Sequence, residues 1–386
     1  MQWSGLVFCC EIIYNSLIIY FLAQNTLEAA MNKELIVVKI GTSSITDRDG
    51  SISEPKLRNI VRQICDLKDM GHSIIIVSSG SIAAGFRRLG YSMRPTTVQR
   101  KQAAAACGQG LLMEMYTEAL YERGYVSAQI LLTRTDFTDM KRYRNAFNAL
   151  GTLLKAGAIP VINENDSVAT EEIRLGDNDT LSAQVAGMMH ADLLVLLTDV
   201  DGLYTGDPSK EGSERIPVVN RITQETEKLA GGAGSGNGTG GMKTKLSAAK
   251  VATTAGVPVF ICSYRDEDSV KKAVTGEGQG TLFTSVGRLK TRLQWMAFFA
   301  EPKGNVYVDR GAAEAITEKG KSLLRRGVVA WEGDFEQGDV VNILLTETHR
   351  LLGRGIAGCS RRDLAGSGEN IKEVVHKDNM AVNINE

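Results

Sequence analysis

Two lysines close a glycine-rich run, and that pairing sets the chemical question for the whole chain. From Gly231 to Lys245 the sequence reads GGAGSGNGTGGMKTK; seven of the eleven residues from 231 to 241 are glycine, and Lys243 and Lys245 follow at once. Glycines let backbone N–H groups approach an anion closely and take positive φ at little steric cost. The helical run LSAAKVATTAGV comes next, so a helix dipole and a lysine would act at the same point. This grammar predicts phosphate binding rather than a flexible linker. It is not a P-loop of the G-x-x-x-x-G-K-[ST] kind. Gly236 and Gly241 have the spacing, but Met242 intrudes before Lys243, and the lead-in TQETEKLA reads as helix rather than strand.

Other polar residues fall where buried strands end. Lys39 interrupts the β-branched run ELIVVKI (34–40) just before Gly41-Thr42-Ser43-Ser44. A lysine there must meet an anion or snorkel out of the layer, and a phosphate partner is one expectation. SIIIVSSGSIAAG repeats the pattern with Ser78-Ser79-Gly80-Ser81. After AIPVIN come Asn163-Glu164-Asn165-Asp166-Ser167, then Gly176-Asp177-Asn178-Asp179. These two clusters must face a metal, an ammonium group or water. Asp199-Val200-Asp201-Gly202 follows DLLVLLT, which alone is weak evidence because turns favour the same residues.

The elements needed to position these groups are legible as alternating strands and helices. Strands are expected at 34–40, 74–77, 125–132, 158–163, 192–198 and 257–262. Helices are expected at 53–70, 98–123 and 141–157, the first with Ser53 as cap, Pro55 in its first turn and Gly71 as its stop. Such alternation argues a mainly parallel α/β sheet, in which ligands gather beyond the carboxyl ends of the strands. From Pro302 the grammar changes. NVYVDRGA, GVVAWEGDF, GDVVNILLT and HRLLGRGIAGCS read as short strands of a β-rich module of about eighty residues. Residues 303–386 carry 12 Lys/Arg against 13 Asp/Glu, so charge gives no support to RNA binding by this module.

Composition bounds the rest. With 386 residues, 43% hydrophobic and 23% charged, the chain suits one large domain and a smaller one. A net charge of −1 points to neither nucleic acid nor an anionic membrane. Cys9, Cys10, Cys65, Cys107, Cys262 and Cys359 show no C-x-x-C spacing, which fits a reducing, cytoplasmic setting. Residues 1–30 are apolar and hold no Lys or Arg, yet Glu11 and Asn15 interrupt the run. They lack a signal peptide's positive start and a span's continuous apolar length. They read as an extension outside the fold, with Met31 the natural start; a weak amphipathic anchor is the alternative.

Taken in order, VVKIGTSSIT, IVSSGSIAAG, VINENDSVAT, GDNDTLSA, LLTDVDGLYT and GTGGMKTK closely resemble the glutamate 5-kinase family, the first enzymes of proline biosynthesis. The resemblance runs from about Met31 to Asn379 and takes in a carboxyl-terminal module similar to a PUA domain. Residues 1–30 have no counterpart in it. It implies the amino-acid kinase fold, an open, mainly parallel sheet between helix layers. The implied domains are a catalytic domain at 31–285, a linker at 286–302 and a PUA-like domain at 303–380. By resemblance Lys39 and Lys245 are the catalytic lysines and Asp179 the aspartate that orients them. Ser79, Asp166 and Asn178 match the family's glutamate contacts. ATP contacts fall on Lys39, Thr198, Asp199 and the stretch Thr239-Gly240-Gly241-Met242-Lys243-Thr244-Lys245, in which Lys243 has no catalytic role. No residue is assigned to metal, although ATP and Mg²⁺ are implied as cofactors. Proline as feedback inhibitor and a homo-oligomer are implied as well, with no membrane partner.

The chemistry agrees with the residue types. A side-chain carboxylate with a pKa of about 4.3 is ionised at neutral pH and needs no general base, which suits a chain with four histidines and none well placed. Transfer between two anions needs charge cancellation and in-line placement instead. NENDSVAT, GDND and the carboxyl-terminal module favour the glutamate enzyme over acetylglutamate kinase, aspartokinase, carbamate kinase and uridylate kinase. An RNA-associated protein and a purely structural assembly protein are the readings from other classes.

Overall fold

The computed structural model describes residues 33–168, 178–208, 210, 212–230, 241–285, 293, 295–365 and 372–382. The extension 1–30 therefore lies outside the described residues, as do Gly176, Asp177, Thr239 and Gly240.

Strands and helices alternate through the first 285 residues. In chain order the elements are β1 (Leu35–Ile40), α1 (Thr42–Ile45), α2 (Glu54–Asp69), β2 (Ser73–Ser78), α3 (Ser81–Gly85), α4 (Val98–Tyr121), β3 (Ser127–Leu132), α5 (Arg134–Thr138), α6 (Met140–Lys155), β4 (Ile159–Glu164), α7 (Asn178–Met189) and β5 (Leu193–Thr198). A small hairpin, β6 (Leu203–Tyr204) and β7 (Arg215–Ile216), leads to β8 (Val218–Val219), α8 (Gln224–Leu229), α9 (Met242–Thr254), β9 (Val259–Ser263), α10 (Ser269–Thr275) and β10 (Thr281–Phe283). The main sheet has eight strands in the order β3-β4-β2-β1-β5-β9-β10-β8. It is parallel from β3 to β9, and β10 joins antiparallel to β9. The chain moves outward from β1 through β2 to β3 at the edge, fills in β4 between β2 and β3, and then passes to the other side of β1 at β5. The gap beyond β1 is thus a switch point where ligands can enter.

Alternation along β1 decides which layer each side chain faces. Ile36, Val38 and Ile40 belong to the apolar layer of α2, α4 and α10. Val37 belongs to the opposite layer with Leu181 and Val185 of α7 and Ala248, Ala249 and Ala252 of α9. A strand repeats every two residues, so Lys39 projects to the side of Val37, where α7 and α9 lie. β1 is central, between β2 and β5, so Lys39 is not an edge-strand surface lysine and is only 5% exposed.

Glycines set the approach of α3 to α4. A Cβ on Gly108 would lie 1.9 Å from the Ser81 carbonyl oxygen, and one on Gly85 would lie 2.0 Å from that of Ala104. Gly80, which starts the turn into α3, has φ of +116° and is roofed by Ile45 and Ile52. Gly108→Ala is expected to part the two helices and to lower stability by about 1–3 kcal/mol, read as a lower urea midpoint at unchanged m-value. An unaltered midpoint would mean that the close crossing is unimportant.

The carboxyl-terminal module has its own core around Val306, Val308, Phe335, Val341 and Ile343. Its elements are β11 (Gly304–Val308), α11 (Arg310–Thr317), β12 (Leu323–Leu324), β13 (Val328–Gly333), β14 (Val340–Leu345), β15 (Leu351–Ile356), α12 (Arg361–Ala365), β16 (Glu373–Val375) and β17 (Met380–Val382). Five strands order as β13-β11-β14-β15-β17. The expected strand at NVYVDRGA ends at Val308, and Asp309 caps α11 by accepting the Ala312 N–H at 2.7 Å. In the segment 286–302, expected as a linker, Trp295, Met296, Ala297 and Phe299 of the π-helical turn Trp295–Phe299 are buried.

Candidate active site

Two helix starts and one strand end meet at Asp179. This residue lies in the first turn of α7 and is wholly buried. Lys39, at the end of β1, places Nζ 2.5 Å from its Oδ1. Lys245, in the first turn of α9, places Nζ 3.4 Å from its Oδ2. Thr244 donates its hydroxyl to the same Oδ2 at 3.2 Å. Both lysines are 5% exposed. A single carboxylate therefore holds two ammonium groups that are 206 positions apart in sequence (245 minus 39). Two ammonium groups gathered at one point suit a polyanion. Gly41 leaves space beside it: a Cβ there would meet Lys39 Nζ at 3.5 Å and the Leu197 carbonyl at 3.4 Å.

Gly241 caps α9 with no side-chain hydrogen bond, so the helix opens on backbone N–H groups. Met242 packs on the core layer, while Lys243 points to solvent as Lys245 turns inward. Across β1, Thr198 ends β5 and donates to Asp199 at 3.0 Å. Thr198 and Asp199 thus stand at the same carboxyl edge as Lys39, since Ile40 pairs with Leu197.

A second polar group forms on the other side of β1. Asn178 donates from Nδ2 to the Ser78 carbonyl at 2.8 Å, to Ser79 Oγ at 2.8 Å and to Asn163 Oδ1 at 2.9 Å. Its Oδ1 is buried with no protein partner. Ser81 donates to Asp166 Oδ2 at 2.9 Å. Burial raises the Asp166 pKa above the ordinary carboxylate value, against the opposing Ser81 hydrogen bond. Glu164 is pushed up to about 7, first by burial and then by the charge of Asp166. Ser79, Asp166 and Asn178 are thus gathered at the carboxyl ends of β2 and β4 and the start of α7.

Sequence reasoning named Asn163 and Ser78 only as members of polar clusters, and missed Gln109 and Tyr116, which brace this group with them. Asn163 donates to Gln109 Oε1 at 2.7 Å and orients Asn178 from below. Ser78 shares a 2.8 Å hydrogen bond with the buried Tyr116 hydroxyl. The one available sign was Gln109 itself, a lone amide in the small-residue run AAAACGQG.

Comparisons with known proteins follow the same division of the chain. The amino acid kinase family matches residues 34–263, and the PUA domain family matches residues 304–376. A glutamate 5-kinase of Streptococcus suis (strain 05ZYH33) is 53% identical over 336 residues, covering 86% of this chain and 94% of the relative. A glutamate 5-kinase of Streptococcus gordonii is 51% identical over 353 residues, covering 90% and 96%. A solved carbamate kinase from Giardia lamblia bound to AMP-PNP overlaps 66% of this chain and 99% of its own, at a TM-score of 0.48 and 14% identity.

Proposed function

The chain belongs to the amino acid kinase family, among its glutamate 5-kinases, and on that footing we propose how its residues move a phosphoryl group from ATP to the side-chain carboxylate of L-glutamate. The products are ADP and L-glutamyl 5-phosphate, in the first step of proline biosynthesis. The observation that carries the assignment of roles is the shared Asp179 carboxylate, with Lys39 and Lys245 on its two oxygens. Asp179 fixes both ammonium groups before substrates arrive. Lys39 and Lys245 then cancel charge as donor phosphate and acceptor carboxylate approach, where fixed charges in a dry site act most strongly. The ATP tail lies along Gly41, Thr198, Asp199 and the start of α9; Thr239 and Gly240, also ATP contacts by resemblance, lie outside the described residues. Ser79, Asn178 and Asp166 hold the amino acid, whose side-chain carboxylate points toward the lysines and whose ammonium faces Asp166 and Glu164.

Mg²⁺ is proposed to arrive with ATP, on whose phosphates it offsets charge when bound. Among the described residues no three His, Cys, Asp or Glu side chains converge as a metal cage, and Asp179 is already engaged by both lysines. Proline competing at the amino-acid contacts and assembly into a homo-oligomer belong to the same proposal. No described helix is long and apolar enough to cross a membrane.

Release of ADP, coupled to an indicator enzyme, should be brisk with L-glutamate and near background with L-aspartate, N-acetylglutamate and carbamate. Activity centred on N-acetylglutamate would overturn the assignment, because an acylated nitrogen gives Asp166 and Glu164 no cation. A pH dependence follows from the same pair. A bound ammonium lowers the Glu164 pKa from about 7, so glutamate binds more tightly as pH rises through 7 and releases a proton on binding between pH 5 and 7. Calorimetry in buffers of different ionisation enthalpy reads that proton directly. In the free protein the sign is opposite: ionising Glu164 opposes folding, so its contribution falls as pH rises from 4.5 to about 7. Zero proton release at pH 6 would remove Glu164 from the ammonium site.

A further inference from the structure

The buried turn Trp295–Phe299 lies between the carboxyl-terminal sheet and the amino-acid end of the kinase domain. Trp295 is 7% exposed and Phe299 4%. The indole Nε1 of Trp295 donates to the Phe137 carbonyl at 2.9 Å, in a buried setting. The ring of Phe299 lies 6.0 Å from Phe137 and 5.8 Å from Tyr143, and Trp295 meets Tyr143 edge-on at 6.4 Å. The turn is grasped from the other side by Arg354 of β15. Its Nη1 donates to the carbonyls of Ala297 at 3.0 Å and Ala300 at 3.2 Å, and its Nε donates to Asn342 at 3.2 Å. Val340 and Ala381 of the module join the kinase domain's apolar layer here. A lone π-helical turn is locally unfavourable and recurs at functional positions.

The Phe137 side of this contact leads to the substrate end. Phe137 lies within α5, whose start is locked by a reciprocal cap between Thr133 and Asp136. Thr133 directly follows β3, and the β3 residue Leu132 accepts the backbone N–H of Asn165 at 2.9 Å. Asn165 neighbours Asp166. Leu181 and Val185 of α7, the helix that begins with Asn178 and Asp179, share the apolar layer with Trp295 and Phe299.

We propose that the carboxyl-terminal module is a clamp on the amino-acid side of the site, with Arg354 and Trp295 acting as positioning residues. Through Trp295 the clamp holds α5, and through α5 it holds the β3–β4 edge from which Asp166 projects. The ATP side, built on β5 and α9, shares the apolar layer with Trp295 and Phe299 but is not reached by the hydrogen bonds that run from Arg354 through Trp295 and from Leu132 to Asn165. The kinetic part of the test rests on the reading of Asp166 as an amino-acid contact; the exchange part does not.

Two variants of the full chain test it: Trp295→Phe removes the indole donor, and Arg354→Met removes the guanidinium while keeping its length. The Asn165 amide should exchange hydrogen about tenfold faster in both than in the wild type, with the amides of Ile60 and Val61 in α2 unchanged. KM for L-glutamate should rise about fivefold or more, the usual scale of coupling between sites, while kcat and KM for ATP stay within twofold. Asn165 exchange within twofold of wild type in both variants would overturn the clamp. So would a parallel rise of both KM values. A wild-type chain inert toward glutamate would refute the substrate reading instead and leave the exchange result to decide the clamp.

Discussion

Lys245→Ala should lower kcat by about 10³-fold or more, while the dissociation constant for L-glutamate changes by less than about threefold. Deleting one preorganised donor from a developing negative charge lowers turnover by about 10²–10³, and a full cation at a transferring phosphoryl is worth up to about 10⁵. Lys245 is nearly inaccessible to solvent and pairs with Asp179, so water is poorly placed to replace it. The proposed amino-acid contacts lie just beyond β2 and β4 and at the start of α7 rather than on α9, which is why binding should survive. The closer Lys39–Asp179 pair remains, so the fold is expected to persist. Lys245→Arg keeps the charge but replaces a compact ammonium with a planar fork, and should recover only part of the loss. Turnover measured by ADP release, with glutamate binding followed by calorimetry, separates the two effects. A kcat within tenfold of wild type would leave Lys245 with a structural role alone.

How much of this was legible beforehand follows from the reach of each signal. Buried strands such as ELIVVKI and DLLVLLT announce themselves by continuous β-branched and aliphatic residues, and β1 and β5 lie where expected. Lys39 was conspicuous because a lysine breaks such a run, and the two-residue repeat then gives its side of the sheet. That Asp179 would meet Lys39 and Lys245 together came from the family resemblance; spacing alone left metal, ammonium and water as partners of the acidic clusters. Gln109 and Tyr116 were not legible, since each acts through a hydrogen bond to another element and little local distinguishes them; Asn163 stood out only as part of the cluster at 163–167. The turn at Trp295–Phe299 was read as linker because its partners, Phe137 and Tyr143, lie more than 150 residues earlier (295 minus 143 is 152). Only the fold reveals what those aromatic rings bury.

The remaining large effect concerns the carboxylate that joins the two lysines. Asp179→Asn keeps the side chain's size and takes from Lys39 and Lys245, each 5% exposed, the carboxylate charge they share. Removing one partner of a buried ion pair lowers stability by about 3–5 kcal/mol, and here two ammonium groups lose the same partner. Turnover should fall at least as far as in Lys245→Ala, because neither lysine is held in place. ATP offers a distinctive check. Its phosphates bring back the missing negative charge, so saturating nucleotide should raise the thermal midpoint of Asp179→Asn by more than it raises that of the wild type, through ordinary mass action on the folded state. A merely structural aspartate gives the other pattern, an equal ATP shift in both proteins on top of a lowered baseline. If the variant instead unfolds at the wild-type denaturant midpoint, then the two lysines do not depend on this carboxylate, and the site must be organised by some other group.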